Sequence, residues 1–185
     1  MIPMKNIPLT MVRQHLNDIP QYPFPSPFRV RNFKPGDERS WVKIETSVGE
    51  FADEDAALKH FDKEFGSHVH EMKSRCLFIE NGDGEAIGTT TAWYGALRDE
   101  ERIGRIHWVA IRPEYQGQKL AKPLLGAALQ VLDQYHPQAY LTTQTTSFKA
   151  IQMYLDFGFE PLLHAPGCME GWTLLESVLN RKIIK

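Results

Sequence analysis

His107 and the stretch Gln116-Gly117-Gln118-Lys119-Leu120-Ala121-Lys122 are the residues whose types and spacing suggest chemistry in this chain. An imidazole titrates near pH ~6.5, which suits a general base. The stretch follows an apolar run, Trp108-Val109-Ala110-Ile111, and leads into a helical pattern with Pro123 near its start. Proline is tolerated in a first helical turn because its missing N–H would have no intrahelical partner. The free amides of residues 117–122 then converge at the positive end of a helix dipole, which suits a phosphate, and Lys119 and Lys122 add charge. Spacing alone fits an ordinary strand–helix connection with solvated lysines equally well. No Gly-Lys-Ser/Thr occurs, which excludes a nucleotide P-loop, and Gly117 lacks the partner glycines of a dinucleotide fingerprint.

A period of two places Arg105, His107, Val109 and Ile111 on one strand face, with His107 two residues before Val109. Tyr154 shares a helical stripe with Ile151 and Leu155, which alone reads as core. His68-x-His70-Glu71 offers alternating ligands on an extended segment but no identifiable third ligand, so no metal is expected. The acidic run Glu50, Asp53, Glu54, Asp55 reads as a helix start favoured by the dipole, and it would also attract a cation.

These groups need a scaffold. Phe28–Phe33 alternates as a strand, and Asp37 is placed to cap a helix carrying Trp41, Ile44 and Val48. A second helix covers 54–65, with Leu58, Phe61 and Phe65 in a stripe. Cys76–Glu80 and Ala86–Trp93 flank Asn81-Gly82-Asp83-Gly84 as a hairpin. Arg105–Ile111 is a strand, Leu120–Leu132 a helix, Ala139–Thr143 a strand, 147–157 a helix and 171–175 a late strand, with one further strand allowed after Phe159. The predicted fold class is α/β: a mixed, mostly antiparallel sheet with helices on both faces. Residues 1–27, with Pro20, Pro23, Pro25 and Pro27 around Tyr22 and Phe24, read as a Pro-rich arm on the surface of a domain spanning 28–185.

With 21 Lys+Arg against 23 Asp+Glu the net charge is −2, which provides no global field for nucleic acid or an anionic membrane. Its 185 residues are enough for one domain with a full core. Two cysteines, Cys76 and Cys168, are too few for a disulfide scaffold, and no apolar run approaches a membrane span. Met1-Ile2-Pro3-Met4-Lys5 has no charged region followed by an apolar core, so neither a signal peptide nor a membrane partner is expected. The expected setting is a reducing one, the cytoplasm.

The sequence resembles the GNAT superfamily of N-acetyltransferases. Val109-Ala110-Ile111, Pro113, Tyr115, Gln116, Leu120 and Ala121 match its acetyl-CoA motif, with Lys119 at the position of the first motif glycine. Ala150, Tyr154, Gly158 and Phe159 match a second motif, with Ser147 where asparagine is usual. At the level of topology the resemblance covers residues 28–175. It implies an acetyl-CoA-dependent N-acetyltransferase, without a metal, acting by direct transfer to an amine of a small molecule or peptide. Backbone groups around Val109, Ala110 and Ile111 would pair with the pantetheine arm. Gln116, Gly117, Gln118, Lys119, Leu120, Ala121 and Lys122 would hold the pyrophosphate, with Ser147 and Tyr154 also at the cofactor. If the motif glycine position is left-handed, a lysine there costs more than glycine, and its ammonium would compensate by meeting a phosphate. Tyr154 would be the acid that protonates the leaving thiolate and His107 the base. A backbone N–H at the end of the motif strand would face the oxyanion. The acceptor pocket would come from Val48–Phe65 and the hairpin. A non-catalytic acyl-CoA-binding module and a same-fold transferase with another acyl donor are the alternatives, and a homodimer is allowed.

Overall fold

Pro8–Arg13 alternates buried Leu9 and Met11 with more exposed neighbours and forms the first strand, β1. The computed structural model describes residues 4–184, so the reading of Met1-Ile2-Pro3 lies outside the described residues. β1 pairs antiparallel with both β6 (Ala139–Gln144) and β7 (Glu160–Pro161), inside the sheet. The surface arm expected over 1–27 therefore does not describe residues 8–13. Burial of alternate apolar side chains governs that segment, and the prolines that suggested an arm begin only at Pro20. Residues 20–27 do run over the surface: the Tyr22 ring lies 5.7 Å from that of Phe157, and Phe24 packs against the core.

After β1 the chain forms β2 (Arg29–Asn32), α1 (Glu38–Ser47), α2 (Glu54–Phe65), α3 (Val69–Arg75), β3 (Cys76–Glu80), β4 (Ala86–Leu97) and β5 (Glu100–Ile111). Then come α4 (Ala121–Asp133), β6, α5 (Phe148–Asp156), β7 and α6 (Cys168–Leu179). The sheet order is β2-β3-β4-β5-β6-β1-β7, with β5 and β6 parallel and every other pair antiparallel. The mixed, mostly antiparallel sheet with helices on both faces is the expected class.

Local chemistry sets the helix starts. Asp53 Oδ1 accepts from the Ala56 amide at 2.8 Å and caps α2. Asp37 stands at the start of α1, but its carboxylate is taken by the Lys34 amide at 2.6 Å and by Arg31 at 2.6 and 2.9 Å. The strand expected over 171–175 is instead the middle of α6. Cys168, Gly171, Trp172 and Leu175 are buried at helical spacing. Residues 68–71, expected extended, lie in a 3₁₀ turn and α3, where His68 Nδ1 and Glu71 Oε1 are 3.1 Å apart.

One face of the sheet carries α1 and α2, with Trp41, Ile44, Phe61 and Phe65 packed on Phe78 and Trp93. The other carries α4 to α6, with Leu124, Leu129, Ile151 and Trp172 against Ile87, Ile106 and Leu141. Burying both faces leaves the gaps between strands as the places where a ligand can reach the interior.

Candidate active site

β5 is interrupted where the chemistry was expected. Thr91 pairs with His107 and Thr89 with Ala110, so Trp108 and Val109 together oppose Thr90 alone. This is a β-bulge, and Trp108 sits at φ 52°, a left-handed conformation uncommon for a bulky residue. The strain is held by packing: Trp108 lies 5.3 Å from the ring of Trp41, 5.4 Å from Phe51 and 5.1 Å from His60, and its indole donates to Glu64 Oε2 at 2.9 Å.

The bulge corrects the expected face assignment. His107, Trp108 and Ala110 turn toward the α1–α2 side, whereas Val109 and Ile111 pack with the α4–α5 core. One extra residue breaks the period of two, so His107 and Val109 do not share a face.

Next to the bulge, β5 and β6 separate. They pair only at Gly104–Ala139 and Arg105–Tyr140. Beyond that point β6 stays with β1 out to Pro8–Gln144. Buried Thr145 fixes its end by accepting from the Ile7 amide at 3.0 Å and donating to the Lys5 carbonyl. Between the diverging strands lies a cleft of about 400 Å³ lined by Glu45, Glu50, Arg105, Ile106, His107, Trp108, Val109, Leu141, Thr142, Thr143, Gln144, Ser147, Ala150 and Tyr154.

A second cavity of about 500 Å³ lies on the other side of Val109, lined by Val109, Ile111, Tyr115, Gln116, Gly117, Lys119, Leu120, Ala121, Lys149, Ala150, Met153 and Tyr154. Val109, Ala150 and Tyr154 belong to both walls, so the two spaces meet at Tyr154. Gly117 has φ 77° and Lys119 φ 62°, so the loop before α4 is left-handed at both. Alternating backbone handedness turns successive amides inward, and with the α4 N-terminus it forms a concave cradle suited to a pyrophosphate. A Cβ at Gly117 would meet nothing within 4 Å, so glycine is there for its φ and not for space. The cradle and the apolar wall of Val109, Ile111 and Met153 fit acetyl-CoA.

Among the residues expected at the cofactor, Val109, Ile111, Gln116, Gly117, Lys119, Leu120, Ala121 and Tyr154 line this cavity. Ser147 lines the neighbouring cleft, where its Oγ accepts from Gln144 Nε2 at 3.1 Å. The Ala110 side chain is buried on the opposite face. The Lys122 ammonium lies 3.6 Å from Asp156 and over the Tyr22 ring, and Gln118 Nε2 donates to the Glu114 carbonyl at 3.4 Å.

His107 Nε2 lies 2.7 Å from Glu64 Oε1, and His60 Nε2 lies 3.0 Å from Glu64 Oε2. Burial alone would raise the Glu64 carboxyl, but hydrogen bonds from His107, Trp108 and His60 hold it down to about 2. Burial pulls His107 below the ordinary imidazole range, opposed by the Glu64 hydrogen bond, so the ring is neutral at pH 7. Burial pushes the Tyr154 phenol up to about 12 and keeps it protonated. Burial also pushes Glu45 up to about 8, with the charge of Glu50 adding to it.

Glu45, Glu64, Arg105 and Thr142 were not expected from sequence. For Glu45 a signal existed: it lies four residues after Trp41, on the buried face of α1. For Glu64, set in a helix rich in charge, there was none. Among the described residues no group of three or more His, Cys, Asp or Glu could hold a metal. No helix there is long and apolar enough to cross a membrane.

The chain matches the model of the acetyltransferase (GNAT) family over residues 11–159. It is 28% identical over 144 residues to a mycothiol acetyltransferase of Streptomyces coelicolor, which covers 77% of this chain and 46% of that protein. A mycothiol acetyltransferase of Streptomyces bingchenggensis has the same identity and coverage. The chain thus spans about half the length of these curated relatives. Among solved structures, a GCN5-related N-acetyltransferase from Sphaerobacter thermophilus superposes with TM-score 0.64 at 20% identity, over 85% of this chain and 49% of that one. A GNAT-family acetyltransferase from Colwellia psychrerythraea gives TM-score 0.61 at 12% identity, over 85% and 54%. The family model matches most of the chain, across the strand, loop and helix that form the two cavities: the chain belongs to the GNAT family of acetyltransferases.

Proposed function

We propose that this protein transfers an acetyl group from acetyl-CoA directly to an amine of a small molecule or peptide while both are bound. The observation that carries this reading is the meeting of two cavities at Tyr154, one beside the phosphate-type loop and one between β5 and β6. Two substrates held on opposite sides of the same residue can react without a covalent enzyme intermediate. When bound, acetyl-CoA supplies the acetyl thioester.

The amides of Gly117 to Lys122 and the Lys119 ammonium bind the pyrophosphate, and the backbone of Val109 and Ile111 orients the pantetheine arm. A backbone N–H of the Trp108–Val109 bulge, where both residues oppose Thr90 alone, serves as the oxyanion donor in this reading. His107 is the base. With Nε2–H committed to the Glu64 carboxylate, its Nδ1 lone pair takes the proton of the attacking ammonium. Tyr154, protonated at neutral pH, gives its proton to the departing thiolate.

The test is a calorimetric titration with acetyl-CoA followed by thiol-release assays across a panel of primary amines. Binding with thiol release supports the proposal. Absence of binding refutes it, and binding without release from any amine would make the chain an acyl-CoA-binding module.

A further inference from the structure

Glu45 is 1% exposed on α1, yet its Oε1 has no hydrogen-bond partner while its side chain lines the β5–β6 cleft. A buried carboxyl left in that state costs folding free energy, and the cost is highest for the ionised form. Nearby carboxylates are committed elsewhere: Glu64 accepts three N–H donors and Asp53 caps α2. Arg105 is the cation in the same wall. Its guanidinium reaches Thr142 Oγ1 at 3.3 Å and lies over the Tyr140 ring, and it makes no ion pair with Glu45.

We infer that Glu45 is the acceptor-binding residue that receives the ammonium group of a cationic amine substrate in the cleft between β5 and β6. This assignment rests on the acetyltransferase reading above and names the acceptor's chemical class. An ammonium has three donors and a positive charge, and the site holds an acceptor oxygen that lacks a donor. Of the groups around Glu45, one adds negative charge and two are neutral. Glu50 follows α1, is exposed and lines the same cleft; His107 on β5 is neutral at pH 7; the Cys76 thiol of β3 is uncharged, with burial pushing it up to about 12. Arg105 opposes: one of its terminal nitrogens donates to Thr142 on β6, while its buried Nε, in the same cleft, has no partner among the described residues. An anionic acceptor would meet two carboxyl groups.

A proton-linked signature follows. Glu45 is mostly protonated at pH 7 in the free protein, since burial holds it at about 8. A cation seated against it favours the ionised form, so binding releases most of one proton.

The experiment uses protein saturated with CoA, so that no acetyl group is consumed. Phenethylamine is the cationic probe and phenethyl alcohol its uncharged counterpart. Affinity and proton release are read calorimetrically at pH 7 in two buffers of different ionisation enthalpy. Wild type should bind the amine in preference to the alcohol and release protons. Glu45→Gln should bind the amine about tenfold or more weakly and release none, while its acetyl-CoA affinity is unchanged and its melting transition stays cooperative and no lower than that of wild type. Equal amine affinity in wild type and E45Q, binding without proton release, or a preference for the alcohol would overturn the inference. So would failure of the amine to bind while acetyl-CoA binds normally, and that result leaves the acetyl-transfer proposal standing. Failure of wild type to bind acetyl-CoA removes both.

Discussion

His107 Nε2 lies 2.7 Å from Glu64 Oε1, and this contact fixes which nitrogen of the ring carries the proton. Glu64, held down to about 2, is an acceptor only, so Nε2 bears the hydrogen and Nδ1 keeps its lone pair. The carboxylate also raises the imidazole pKa against the lowering effect of burial. Glu64→Gln removes the raising influence and leaves the burial, so the His107 midpoint should move to lower pH. A titration of the His107 ring by NMR in wild type and E64Q reads the shift directly. The acidic limb of the pH–rate profile should move the same way, and a midpoint that rises or stays fixed would contradict the assignment.

Tyr154→Phe separates chemistry from binding. The ring packs at 6.0 Å from Phe159 and stays after the change, and the hydroxyl has no protein partner among the described residues. The variant should therefore fold and bind acetyl-CoA as wild type does. Turnover should fall by about 10²–10⁴-fold if the phenol protonates the thiolate. Unchanged kcat would remove Tyr154 as the acid.

Much of this arrangement was legible in the residues. The 3.6 period of Leu124, Leu125, Ala128 and Leu132 gave α4, and the loop before it was recognisable from Pro113, Gln116 and Gly117. What sequence hid was the bulge. A strand read as period two carries no mark of an extra residue, and Trp108 at φ 52° is the opposite of the glycine that would announce one. The error propagated to the site, because it placed His107 on the Val109 face. β1 was overlooked because six residues with two apolar side chains inward are a weak signal beside a conspicuous run of prolines. The helix at 168–179 was misread since Trp172 and Leu175 in a short apolar run fit either period. Contacts distant in sequence, such as Glu64 with Trp108, are set by tertiary packing and have no local pattern.

Lys119 at φ 62° trades backbone strain for charge. A left-handed conformation costs a non-glycine residue about 1 kcal/mol or more. Lys119→Gly should relieve it, with part of the gain offset by the greater freedom of glycine in the unfolded chain, so stability should change by less than about 1 kcal/mol. The same change removes an ammonium from the phosphate loop. Acetyl-CoA affinity should drop about fivefold at low salt and less at high salt, as expected for one exposed charge contact. Calorimetry at two ionic strengths measures this; an affinity equal to that of wild type at both would show that Lys119 does not meet a phosphate.

Glu45 makes stability depend on pH in the direction opposite to an ordinary paired carboxylate. Its folded-state value is raised from 4.5 to about 8, so the folded protein holds the proton more tightly than the unfolded chain. Below pH 4.5 both states are protonated and the group has no effect. Between 4.5 and 8 the unfolded chain ionises first, and stability falls as pH rises. At pH 7 the loss is about 3 kcal/mol, from 2.5 pH units at 1.36 kcal/mol each. Glu45→Gln cannot ionise and should escape it. Denaturant melts should show wild type and E45Q nearly equal below pH 4.5 and E45Q more stable at pH 7 and above. A variant that is less stable at pH 7 would mean that the Glu45 carboxylate already has a charge partner in the free protein. A bound cationic amine should narrow the gap by stabilising wild type alone, which ties the cost of the buried acid to the ligand it is positioned to receive.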